Sequence, residues 1–83
     1  MNKRQLIDTL IDPHTHYHTL FDICEALNIT ISFINDYEYE YIYKDKSCIK
    51  DSDSHEQDMR EVLYDMWDDD IEANIKKYLV ENL

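Results

Sequence analysis

Apolar residues recur with helical spacing at both ends of this chain and with a period of two in its middle. In residues 2–10, Leu6, Ile7 and Leu10 share one side and Asn2 stands at a cap position, which predicts a short first helix. Asp12-Pro13 then predicts a second start, with Asp as cap and Pro at the first helical position. Tyr17, Leu20, Phe21, Cys24 and Leu27 hold one helical face to about residue 27, where Asn28 is suited to end it. Residues 29–34 (ITISFI) are rich in β-branched side chains and predict a strand. Asn35-Asp36 predicts a hairpin turn into residues 37–43, YEYEYIY. There Tyr37, Tyr39, Tyr41 and Tyr43 fall on one face of a strand, and Glu38, Glu40 and Ile42 on the other. Rings on a half-buried pleated surface read first as core, and any ring left exposed is an anchor for a complex. Residues 44–47 predict a second turn and residues 48–50 a short third strand.

The helical period returns after residue 54. Ser54 with Gln57, and Asp53 with Glu56, have capping-box spacing. Met59, Val62, Leu63, Met66 and Trp67 follow on one face. Asp68-Asp69-Asp70 interrupts, Asp69 with Glu72 makes another capping pair, and Ile71, Ile75, Tyr78 and Leu79 carry an apolar stripe to the end. One long helix fits this pattern, but the interruption favours two. The expectation is one α+β domain over residues 1–83, in the order ααβββαα, with helices flanking a three-stranded antiparallel sheet.

Charge changes the picture. The chain has 83 residues and a net charge of −11. Residues 36–72 hold fourteen acidic and four basic side chains, so nearly all of the excess lies there. Such a field repels nucleic acid and anionic membrane and draws basic surfaces. A solvated face that only keeps the protein soluble is the plainer reading of the same charge. Glycine is absent, so tight turns fall to Asn28, Asn35-Asp36 and residues 45–47. Cys24 and Cys48 form neither a disulfide framework nor a zinc set. No signal peptide or membrane-spanning run is recognisable, which makes the cytoplasm the expected location.

Little in the sequence carries catalysis. Asp12, His14 and His16 have the Asp-x-His-x-His spacing that opens amidohydrolase barrels, but such a barrel needs roughly 200 or more residues. His14 and His18, four apart, suit a weak metal clasp on a helix, and a small metalloprotein using His14, His16 and His18 is the third-ranked function. Surface histidines on a first helical turn are the simpler reading, and no metal or other cofactor is expected. Asp51-x-Asp53-x-His55 lacks both the glycine and the terminal Glu of a calcium loop. Without glycine there is no phosphate-binding loop or dinucleotide fingerprint. The chain therefore reads as a binding protein rather than an enzyme.

Asp58, Glu61, Asp65, Asp68 and Glu72 step by three and four residues. On a continuous helix they form one row of about 21 Å at ~1.5 Å per residue. Asp69 and Asp70 thicken it, and Glu38 and Glu40 offer a second row from the sheet. Closely spaced carboxylates imitate a phosphate backbone, whose charges fall about every 1.7 Å of duplex axis.

In layout and acidity, from the short helical N-terminus through the sheet to two acidic helices, the chain resembles small phage-encoded DNA-mimic proteins. These include Cas9-inhibitor anti-CRISPR proteins and phage inhibitors of the histone-like protein HU. The likeness covers the whole chain as architecture and rests on no shared motif; the His-rich second helix departs from the Cas9-inhibitor plan. It implies an inhibitor that competes with DNA for a basic DNA-binding protein, such as a nucleoid protein, CRISPR effector, restriction enzyme or RNA polymerase, in the host cytoplasm. The competing expectation is an adaptor or antitoxin-like module. It would dock, or form a homodimer, through a terminal helix from Ile71 to Leu83 carrying Ile75, Tyr78 and Leu79.

Overall fold

A computed structural model describes residues 1–12, 14–51 and 54–82, without the side chain of Tyr17. Among these residues the order is α1 (Lys3–Leu10), α2 (Tyr17–Ala26), β1 (Thr30–Phe33), β2 (Glu38–Tyr43), β3 (Lys46–Asp51), α3 (His55–Met66) and α4 (Asp69–Glu81). The fold is α+β, with an antiparallel sheet in the order β1-β2-β3.

Local chemistry explains most boundaries. Asn2 and Gln5 cap α1 reciprocally, with two bonds of 2.9 Å between the side chain of each and the backbone of the other. α2 ends in a Schellman turn: the Ile29 N–H donates to the Cys24 carbonyl at 2.8 Å and the Asn28 N–H to that of Glu25 at 3.1 Å. Asn28 takes φ 62°, so it fills the left-handed position usually given to glycine. Ser54 caps α3, accepting from the Gln57 N–H at 3.2 Å.

Three expected boundaries move. α2 begins at Tyr17, not next to Asp12, because Asp12 closes a local turn instead: its carboxylate accepts from the His14 N–H at 2.7 Å. His16 takes over as cap, its Nδ1 accepting from the His18 N–H at 3.2 Å. The cap of α4 is Asp68 rather than Asp69, since Asp68 has extended backbone and its carboxylate accepts from the Ile71 N–H at 2.8 Å. The second hairpin turn is tighter than expected, Lys44-Asp45 alone, and Lys44 adopts φ 55°. Pro13, Asp53 and Leu83, which figure in the sequence reading, lie outside the described residues, as does the Tyr17 side chain.

The helices cover one face of the sheet. Leu6, Ile7, Leu10 and Ile11 meet Leu20, Ile23 and Leu27, the α3 row Met59, Val62, Leu63 and Met66, and Ile71 and Ile75 of α4. Tyr41 and Tyr43 are 1% and 2% exposed and supply the sheet's share of this core. Tyr39 is half-buried, and Tyr37, just before the strand, is 76% exposed. The period-two ring face thus turns inward in its second half and leaves the protein at the hairpin. The opposite sheet face carries Glu38, Glu40, Ile42, Ile49 and Asp51 beside Thr30 and Ser32.

Candidate protein-binding surface

The acidic residues divide into three groups rather than one row, because α3 and α4 are separate helices joined through Trp67 and Asp68.

The first group stands on α3. Asp58 is 8% exposed and lies on the buried face with Met59 and Val62, so it does not belong to the solvent row that the spacing suggested. Burial, helped by the nearby Glu61, pushes its carboxyl up from the usual range. Its Oδ2 is buried with no hydrogen-bond partner among the described residues. Glu61 and Asp65 do face outward, on either side of Lys50 of β3, whose Nζ lies 3.1 Å from Glu61 and 4.0 Å from Asp65. The Lys50 ammonium holds the Glu61 carboxyl below its ordinary value.

The second group surrounds the start of α4. Asp68 is placed by structure before it is available for function: besides capping α4 it accepts from the Tyr43 hydroxyl at 2.9 Å and from Lys44 Nζ at 2.9 Å. Burial pushes its carboxyl up, but the Ile71 N–H, Lys44 and Tyr43 together outweigh that and bring it down to about 2. Lys44 Nζ also reaches Asp70 at 2.7 Å. Asp69 is exposed and Glu72 half-exposed in the first turn of the helix.

The third group lies on the outer sheet face. Glu38 and Glu40 are half-exposed there, with Asp51 directly across the ladder from Glu38. Glu38 also accepts from the Asn35 side chain at 2.8 Å.

These pairings have an uneven stoichiometry. Lys44 is shared by Asp68 and Asp70, Lys50 by Glu61 and Asp65, and Arg60 by Asp8 and Glu56. Each cation is outnumbered by the carboxylates that hold it. Folding therefore organises the acidic region without neutralising it.

Sequence reasoning missed two features. Asp51 joins Glu38 because the third strand is longer than expected. Phe33, Ile34 and Tyr37 are 70%, 47% and 76% exposed around the first hairpin turn, an apolar tip beside Asp36 and Glu38. Alternation alone puts Phe33 on the same face as Tyr39, which it meets edge-on at 4.9 Å, but not how far the helices reach to cover it.

The last helix differs from the expected docking surface. Ile75 is fully buried, Tyr78 and Leu79 pack against the core, and Val80 at 71% is its exposed large apolar residue. The histidine string is taken up locally: His16 caps α2 and its ring stacks on His18 at 5.0 Å. Among the described residues, no group of three or more His, Cys, Asp or Glu side chains is arranged to hold a metal ion. Nor is any helix of these residues long and apolar enough to cross a membrane. Comparison of the chain with protein-family models, curated proteins and solved structures gives no match.

Proposed function

We propose that this protein is a non-catalytic, acidic inhibitor that occupies the nucleic-acid-binding surface of a basic protein and excludes DNA from it, in the manner of the phage-encoded DNA mimics. The supporting observation is the shared-cation arrangement: Lys44, Lys50 and Arg60 are each held by two carboxylates, which leaves an excess of fixed negative charge on a folded surface. A basic groove recovers from such a surface the counterion release that it gains from DNA. Glu61, Asp65, Asp69, Asp70 and Glu72 would contribute from the helices and Glu38 and Glu40 from the sheet. Asp58 is buried away from that surface, and Asp68 is engaged in capping α4. Partners of this kind are cytoplasmic DNA-binding proteins, in a host cell if the chain is phage-encoded.

The test is capture of a basic DNA-binding protein from bacterial lysate, repeated with excess duplex DNA and with high salt. Both should displace the partner. Neutralising Asp65→Asn, Asp69→Asn and Glu72→Gln together should weaken binding at least about tenfold at low salt, as loss of several steering charges does, without lowering the melting temperature. Capture that survives the triple substitution, or that ignores both DNA and salt, rejects the mimic.

A further inference from the structure

The sheet has two edges and treats them differently. β3 (KSCIKD) carries Lys46, Lys50 and Asp51 and is backed by α3 through the Lys50–Glu61 pair. Charged side chains on an edge are a standard device against unwanted strand pairing. β1 (TISF) carries no charge and no proline.

The register shows what β1 leaves unpaired. The Ile34 N–H donates to the Glu38 carbonyl at 3.1 Å, and the ladder continues as Phe33↔Tyr39, Ser32↔Glu40, Ile31↔Tyr41 and Thr30↔Ile42. Hydrogen-bonded pairs alternate in an antiparallel ladder, so Ser32 and Thr30 bond to β2 while Ile31 and Phe33 turn their N–H and C=O groups outward. Among the described residues no strand pairs with that side. Alongside it runs a groove of about 530 Å³ between α2 and β1, lined by Phe21, Cys24, Glu25, Asn28, Ile29 and Ile31. Glu25 is the charged member of that lining.

We infer that this edge takes up an extended, basic segment of a partner protein as a fourth strand, lying in the groove between β1 and α2. Backbone pairing at Ile31 and Phe33 supplies up to four hydrogen bonds. Alternate side chains of the incoming strand enter the groove, where Phe21, Ile29 and Ile31 are interspersed with the polar Glu25, Asn28 and Thr30, and the others lie on the outer sheet face, one strand away from Glu40. The sign of the segment follows from Glu25 in the groove, with Glu38 and Glu40 one strand further in on β2. A second copy of this chain is disfavoured as occupant because it would set another −11 against the first. The inference rests on the reading of this protein as a binder of basic partners and specifies the contact that such a partner makes.

The probe is an acetylated peptide, Lys-Val-Arg-Val-Lys-Val, added to the full chain while amide exchange is followed by NMR. Exchange of the Ile31 and Phe33 amides should slow at least about tenfold as they enter a ladder. The same peptide N-methylated at alternate amides should give no protection. No slowing at Ile31 and Phe33, or equal binding of the N-methylated peptide, overturns the inference. Protection that appears without peptide as protein concentration rises, with a dimeric mass, overturns it in favour of a second copy. Equal protection by the neutral peptide Ser-Val-Thr-Val-Ser-Val overturns the basic segment. In the protein, Phe33→Pro removes an outward N–H and Phe33→Ala only the ring. The proline variant should bind the basic peptide at least about tenfold more weakly than the alanine variant; equal affinities overturn edge pairing, and the N-methylated peptide decides the matter should the proline variant unfold. Loss of the acidic reading would show in the triple carboxylate variant on α3 and α4, a separate result from failure at β1.

Discussion

Two aspartates ten residues apart illustrate how little an acidic residue's identity says about its work. Asp58 and Asp68 have the same side chain and sit in the same charged region, yet the fold moves their proton affinities in opposite directions. Asp58 is raised, so the native state holds its proton more tightly than the unfolded chain does. Its contribution to stability is present below the ordinary carboxylate range and lost as pH rises through the raised value. Above that value it is a buried charge, and there Asp58→Asn should raise stability by about 1 kcal/mol, roughly 4–8 °C in melting temperature. That gain should vanish as pH falls below the ordinary carboxylate range. Asp68 is lowered to about 2, so its contribution is present above the ordinary range and lost as pH falls towards 2. Asp68→Ala, which removes a cap, should cost about 1–2 kcal/mol at pH 7 and much less at pH 2. Melting curves of both variants against pH check the pair; parallel shifts at all pH values would contradict the assignment. From sequence both residues belong to one row of carboxylates. The distinction lies in which side of α3 packs on the sheet and in a tyrosine hydroxyl arriving from twenty-five residues away. Cys24 follows the sequence reading more closely: it sits on the apolar face of α2, 2% exposed, and burial pushes its thiol up to about 12.

At the scale of elements, the periodicities carried most of the information. The four helices, the three strands and the division between α3 and α4 follow from apolar spacing and from the run Asp68-Asp69-Asp70. The starts of α2 and α4 were less legible because several polar residues compete for each cap, and tertiary partners choose among them. Asp68 prevails over Asp69 with Tyr43 and Lys44 holding it; Asp12 turns to its own local backbone, leaving His16 to cap α2. The second hairpin has a comparable choice. A lysine at φ 55° is held by its ion pairs with Asp68 and Asp70 against the left-handed preference for glycine. Replacing Lys44 separates the two terms. Both Lys44→Gly and Lys44→Ala lose the ion pairs, but glycine also relieves the left-handed strain that alanine, like lysine, retains. The glycine variant should therefore be the more stable of the two by about 1 kcal/mol, measured by urea unfolding. The inverse order would mean that turn strain is not what the lysine offsets.

Over the whole molecule, architecture was readable from the chain and the surface was not. Alternation says that Tyr37, Tyr39, Tyr41 and Tyr43 share a face, but coverage by α2 and α3 decides that Tyr41 is buried and Tyr37 exposed. Spacing says that Ile75, Tyr78 and Leu79 form a stripe, but only packing shows that it turns to the core. The acidic groups were visible as a density of charge, and their separation into α3, the α4 start and the outer sheet face had to come from the fold.

The three shared cations have a further mechanical meaning. A molecule in which attraction is satisfied one-to-two is held together against its own field, like a frame assembled under load. Added salt screens that load, so the free protein should melt several degrees higher in 0.5 M than in 0.02 M sodium chloride, the reverse of a protein stabilised by its ion pairs. A scan of melting temperature against salt checks this, and a flat or falling trend would contradict it. The same ions that steady the free protein would weaken its hold on a basic partner. Fold and complex would then be driven in opposite directions by one variable, and a cationic partner would act as the counterion that the chain lacks.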